Sequence, residues 1–70
     1  MEMDNAKMLF AELTEICHNA KTLYECNDAW NRLMSECLDA NSFKIPLAYK
    51  KDFYELRALL QGKLSILNIN

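Results

Sequence analysis

Apolar side chains recur three and four residues apart along most of this chain, which is the spacing of one face of an α-helix. The chain contains one glycine, Gly62, and one proline, Pro46, so few positions interrupt that spacing. The pattern predicts an all-α fold in a single helical domain, a three-helix hairpin or bundle that homodimerisation completes. The domain spans residues 1–70, and the predicted helices cover about 5–18, 23–40 and 46–67.

Local signals define the start of the first two helices. Asp4 or Asn5 can cap the first helix, because either side chain can accept a hydrogen bond from an unpaired backbone N–H. Thr22 and Glu25 have the spacing of a capping box, which predicts that a second helix begins after a turn. A single long helix over residues 5–40 is the alternative, since the apolar spacing continues across that turn.

The stretch between the second and third helices is the clearest predicted loop. Asn41 tolerates the left-handed conformation that ends many helices, so we expect the second helix to end there. Phe43 and Ile45 are expected to tuck against the core. Pro46 suits the first position of the third helix, where its missing N–H would be unpaired in any case.

Composition and cysteine usage indicate where the protein works. The chain is 51% apolar, which is rich for 70 residues and favours burial of surface in an oligomer. Its three cysteines are an odd number and form no CxxC pair, so no disulfide framework or zinc site is predicted. No signal peptide is visible and no run of ~18 apolar residues could span a membrane. We therefore expect a cytoplasmic protein with no metal or other cofactor.

No arrangement of residues predicts catalysis. Cys17 and His18 are neighbours, but consecutive side chains on a helix point ~100° apart and cannot act as nucleophile and base together. Cys26 and Cys37 lie on one side of the second helix among apolar residues and read as core thiols. We expect no enzyme activity; a deep pocket containing His18 or two converging carboxylates would favour an enzyme instead.

Three apolar residues are the candidate interface. Trp30 is the single tryptophan, and tryptophan is frequent at interaction hot spots. Leu59 and Ile66 lie seven residues apart on a second edge of the third helix, which would contact another subunit. Gly62 lies between them. It costs a helix ~1 kcal/mol, and it either lets another helix approach or marks a bend or an end.

Basic residues are the candidate site for a second kind of partner. Residues 1–40 hold eight acids and three bases, whereas residues 41–70 hold five bases and two acids. Lys50, Lys51 and Arg57 form a candidate basic patch on the third helix, and Lys63 follows it. Nucleic-acid binding by a helical dimer through this patch is the alternative function.

The leading functional hypothesis is a small, non-enzymatic interaction or regulatory module that binds a larger cytoplasmic protein. It depends on the surplus of apolar helix surface in a chain without catalytic motifs. Short length, high helix content and absent chemistry are also typical of the accessory proteins of phages and plasmids, which often act by binding host factors.

Overall fold

Three helices, one tight turn and one short β-hairpin make up the chain in a computed structural model, which describes residues 1–68. The predicted all-α, three-helix fold is confirmed. The elements in chain order are helix α1 (Met3–Asn19), helix α2 (Leu23–Cys37), strands β1 (Leu38–Asp39) and β2 (Ser42–Phe43), a 3₁₀ turn (Leu47–Tyr49) and helix α3 (Lys50–Asn68). None of the described helices is both long and apolar enough to cross a membrane.

The turn between α1 and α2 is closed by the predicted capping box. The backbone N–H of Glu25 donates to the Thr22 hydroxyl at 3.1 Å, and the Glu25 carboxylate accepts from the N–H of Thr22 at 3.2 Å. Because these bonds satisfy N–H groups that have no partner within the helix, α2 can begin independently of α1. The alternative of one helix over residues 5–40 is wrong.

Helix α1 begins earlier than predicted. It starts at Met3, and the residue at its cap position is Glu2, whose side chain makes no capping hydrogen bond. The prediction that Asp4 or Asn5 caps the helix is therefore wrong. Asp4 lies in the first turn, where its charge is favoured by the helix dipole.

Helix α2 ends three residues before its predicted end, because the chain turns into an antiparallel hairpin. Leu38 pairs with Phe43, and the N–H of Lys44 donates to the carbonyl of Cys37 at 2.8 Å, which satisfies one carbonyl at the helix end. The left-handed residue is Ala40, with φ of 55°, and not Asn41. The hairpin carries Phe43 and Ile45 onto the core, as predicted.

The third helix is preceded by a 3₁₀ turn. Pro46 caps this turn, and the N–H of Tyr49 donates to its carbonyl at 2.9 Å, so the α-helix begins at Lys50 and not at Pro46. Helix α3 continues past Gly62 to Asn68, so that glycine does not end it. The sequence also predicts that the tail over residues 68–70 frays; of these, Ile69 and Asn70 lie outside the described residues.

Each helix contacts the other two. Phe10, in the middle of α1, stacks at 5.0 Å on Tyr49, which directly precedes α3, and Lys63, later in α3, contacts the end of α1. Helices α1 and α3 therefore run parallel, with α2 antiparallel to both. One apolar core lies between them. Its buried members are Phe10, Leu13, Cys17, Ala29, Leu33, Cys37, Ile45, Phe53, Leu56 and Leu60.

Candidate interaction surface

The three thiols are part of the core. Cys17, Cys26 and Cys37 are each fully buried and unpaired, whereas His18 is exposed. Burial raises the pKa of the Cys37 thiol to about 11, and it also raises the pKa of Cys17 against the opposing effect of nearby Lys63. Because a thiolate is the reactive form, these cysteines act as small apolar side chains.

A groove of about 300 Å³ between α1 and α3 brings His18 near two carboxylates. Its polar lining is Thr14, His18, Asp52 and Glu55, all exposed, and no hydrogen bond or ion pair within residues 1–68 joins His18 to either acid. The part of the chain that the structure describes holds no cluster of three metal-ligating side chains. General acid–base chemistry is favoured where burial shifts the pKa of the reacting groups, and the four polar side chains of this groove are exposed.

Lys63 is a helix cap. Its ammonium group donates to the carbonyls of Cys17 at 2.8 Å, His18 at 2.9 Å and Ala20 at 2.8 Å. These carbonyls belong to the end of α1, where a cation is favoured by the helix dipole. All three donors of the ammonium are used, so Lys63 does not add to the basic patch as the sequence suggested.

Two residues of the predicted basic patch lie against aromatic rings. The Lys50 ammonium is 4.8 Å from the ring centre of Phe43, and the Arg57 guanidinium is 5.0 Å from that of Tyr54. The two rings meet edge to face at 6.0 Å, so the four residues form a cation–aromatic row. Lys51 is exposed and stands outside the row.

Neither cation of the row forms an ion pair within residues 1–68. Among the described residues the one ion pair joins Arg32 to Glu12 at 2.8 Å, between α2 and α1. Tyr54 is 47% exposed, while the Phe43 ring packs edge to face against the buried Phe53 at 5.3 Å. The row therefore presents two unpaired positive charges, held in place by rings that are themselves anchored to the core.

A second groove, of about 540 Å³, lies between α2 and the last two turns of α3. We call it the Trp30 groove; none of its lining side chains is charged. A methyl group at Gly62 would meet no atom of residues 1–68 within 4 Å, so that part of the helix surface is open. The lining residues are Trp30, Gln61, Gly62, Leu64, Ser65 and Asn68.

The three residues of the predicted interface lie on different sides of α3. Trp30 lines the groove on the α2 side. Leu59 packs partly against the core and lines the groove with His18, on the α1 side. Ile66 is 68% exposed and lines an apolar groove of about 280 Å³ beside Lys63. The structure thus brings Trp30 together with Gly62 and Leu64, and leaves Ile66 as the more exposed of the two helix 3 candidates.

Comparison of this chain with protein-family models, with curated proteins and with solved structures finds no match in any of the three. Functional inference therefore depends on the surfaces of the chain itself. The two that stand out are the uncharged Trp30 groove and the cation–aromatic row, both on the α2 side of α3.

Proposed function

We propose that this chain is a small, non-enzymatic interaction module that binds and regulates a larger cytoplasmic protein through the Trp30 groove. The observation that carries the proposal is the groove itself, which contains a half-buried tryptophan, an open glycine and no charge. The reduced state of three buried thiols is consistent with a cytoplasmic protein.

The groove has the chemistry of a protein anchor site. Its volume of about 540 Å³ has room for several side chains, and Trp30 and Leu64 supply the apolar part of a lining that is otherwise polar. Gly62 adds a place where the backbone of a partner can come close, since no side chain stands in the way.

A pair of variants tests this function. Ser65→Lys places a charge in the groove at an exposed position, and Ala11→Lys places the same charge at an exposed position of α1. We expect the tagged wild type and the tagged Ala11→Lys variant to recover a partner protein from the cell that encodes the chain. The tagged Ser65→Lys variant should not recover that partner. Equal recovery by both variants, or repeated recovery of the chain alone, would contradict the proposal.

Nucleic-acid binding through Lys50, Lys51 and Arg57 is the second candidate function. The observation in its favour is the exposed Tyr54 ring beside two unpaired cations, because rings and cations together bind bases and phosphates. Gel shifts at low salt test it. Binding should weaken steeply as salt rises and should fall when Lys50 or Arg57 is replaced by Gln.

The predicted homodimer is a separate proposal, supported by the exposure of Ile66. Molar mass measured over a concentration series tests it. We expect a dimer at high concentration. Ile66→Lys should weaken it, so that the variant dissociates into monomers at a higher concentration than wild type does. A strict monomer at every concentration would rule the dimer out and leave this surface to another protein.

A further inference from the structure

We infer that the Trp30 groove and the cation–aromatic row form one binding surface, and that its occupant is a helix of the partner whose contacting face is acidic at one end and apolar at the other. The inference rests on the proposed function, which it deepens by assigning the chemistry of the partner. Within the groove Trp30 and Leu64 supply the apolar contact, and the row supplies the charge that selects for acids.

The two parts are continuous along one side of α3. Arg57 ends the row, and Gln61 begins the groove one turn later. From Lys50 to Asn68 this side rises ~27 Å, the length of a helix of about 18 residues. The surface is therefore long enough for a helix to lie in it, with α2 and the hairpin as the second wall.

Charge is sorted across α3 in a way that fits an acidic occupant. Its two carboxylates, Asp52 and Glu55, face the groove shared with α1. The opposite side carries Lys50 and Arg57, and the groove beyond them is uncharged. A helix with acids at one end and apolar side chains at the other would match both parts, whereas a basic helix would meet two like charges.

The spacing of the cations specifies the partner further. Lys50 and Arg57 are seven residues apart, which is two turns or ~10 Å along α3. Carboxylates seven residues apart on a partner helix have the same separation. Because each cation already rests on a ring, less side-chain freedom is lost when a carboxylate binds. Nucleic acid is less favoured, since half of the surface carries no cation that could pair with a phosphate.

A displayed library of tryptophan-free helical peptides of about 18 residues, randomised along one face, tests the inference on the full chain. Selection uses wild type as bait and Ser65→Lys as counter-bait. We expect enriched peptides to carry apolar residues toward one end and Glu or Asp toward the other. An enriched peptide should shift the emission of Trp30, the single tryptophan, to shorter wavelength.

Charge variants then separate the outcomes. Arg57→Gln should weaken binding of the enriched peptide about tenfold. Lys7→Gln, at an exposed position of α1, should leave its affinity unchanged. Enriched peptides that are neutral or basic and indifferent to Arg57→Gln would overturn this inference but keep the proposed function. Failure to enrich any peptide that discriminates wild type from Ser65→Lys would overturn both. Arg57-dependent binding of a 20-nucleotide RNA or DNA, without peptide binding, would replace both with nucleic-acid recognition.

Discussion

The two halves of helix α3 have similar apolar content and different surroundings. In the first half Phe53, Leu56 and Leu60 are buried, whereas in the second half Leu64 and Leu67 are half-buried and Ile66 is 68% exposed. Apolar spacing therefore identifies a helix, but it does not show which part of that helix the rest of the chain covers. How much of α3 is covered depends on the segments that connect the helices, and these segments differ at the two ends of the bundle.

The connections explain the difference in physical terms. At one end the hairpin and the 3₁₀ turn add aromatic contacts, with Phe43 on Phe53 at 5.3 Å and Tyr49 on Phe10 at 5.0 Å. At the other end a short turn joins α1 and α2, and the side chain that it buries is the small methyl group of Ala20. The packed half supplies stability, and the open half leaves the Trp30 groove uncovered by residues 1–68.

The largest expected effect is on stability, and it should separate two variants that each shorten one side chain of α3. Leu60→Ala, in the packed half, should cost about 2–5 kcal/mol of unfolding free energy because it leaves a cavity. A chain of this size has only ~3–5 kcal/mol in total, so the variant should be largely unfolded. Ile66→Ala should stay within about 0.5 kcal/mol of wild type. Urea unfolding followed by circular dichroism measures both, and similar losses would contradict the division of the helix.

Lys63 is the next test, because it ties the open half of α3 to the end of α1. Lys63→Met keeps the stem and removes three charge-assisted hydrogen bonds, which should cost about 2 kcal/mol. Hydrogen exchange should speed up first at the last turn of α1. Lys51→Met removes an exposed charge and should leave stability unchanged; an equal loss in this control would argue against the cap.

Thr22→Ala tests the turn at the open end. Loss of the hydroxyl that accepts from the Glu25 N–H should lower the unfolding free energy by about 1 kcal/mol. Thr14→Ala, at an exposed position inside α1, is the matched control and should change little. If the two variants are equally stable, the capping box does not define the start of α2.

Gly62→Ala should act in the opposite direction. The added methyl group meets no described atom within 4 Å, and alanine is the better helix former, so stability should rise by about 0.5–1 kcal/mol. Thermal unfolding measures the gain. A loss of stability at low concentration would mean that the surface beside Gly62 is already covered in the free protein.

The smallest effect is a pH dependence at Glu25. Hydrogen bonds from the backbone N–H of Lys21 and from the hydroxyl and N–H of Thr22 hold its pKa below the ordinary value of 4.5. Their contribution is therefore present above that value and is lost as pH falls through the lower folded pKa. As the pH is lowered, the free energy of unfolding should decrease less in Glu25→Gln than in wild type. A Glu25 carboxyl that titrates by NMR at or above 4.5 would refute this.

Sequence reasoning recovered the features whose causes are local. Thr22 and Glu25 lie three residues apart and form their bonds within one turn, so the break between α1 and α2 was readable. The pairing of Leu38 with Phe43 was not, because strands of two residues show no alternation. Pro46 marked the region where α3 begins but not the intervening 3₁₀ turn.

The candidate site was predictable in part for the same reason. Trp30 was identified by residue type, but the groove depends on how α2 and α3 cross, which brings Gly62 and Leu64 beside it. The role of Lys63 joins residues more than 40 positions apart and leaves no local signal. Lys50 and Arg57 were recognised as a basic pair, while their rings were supplied by the hairpin and by the helix itself.

Residue-resolved hydrogen exchange along α3 in the free chain tests whether the helix is firmly packed in its first half and open after Lys63. If it is, amides from Phe53 to Leu60 should exchange through global unfolding, and those of residues 64–68 at least about 100-fold faster through local opening. Equal protection of both halves in dilute monomer would contradict the account.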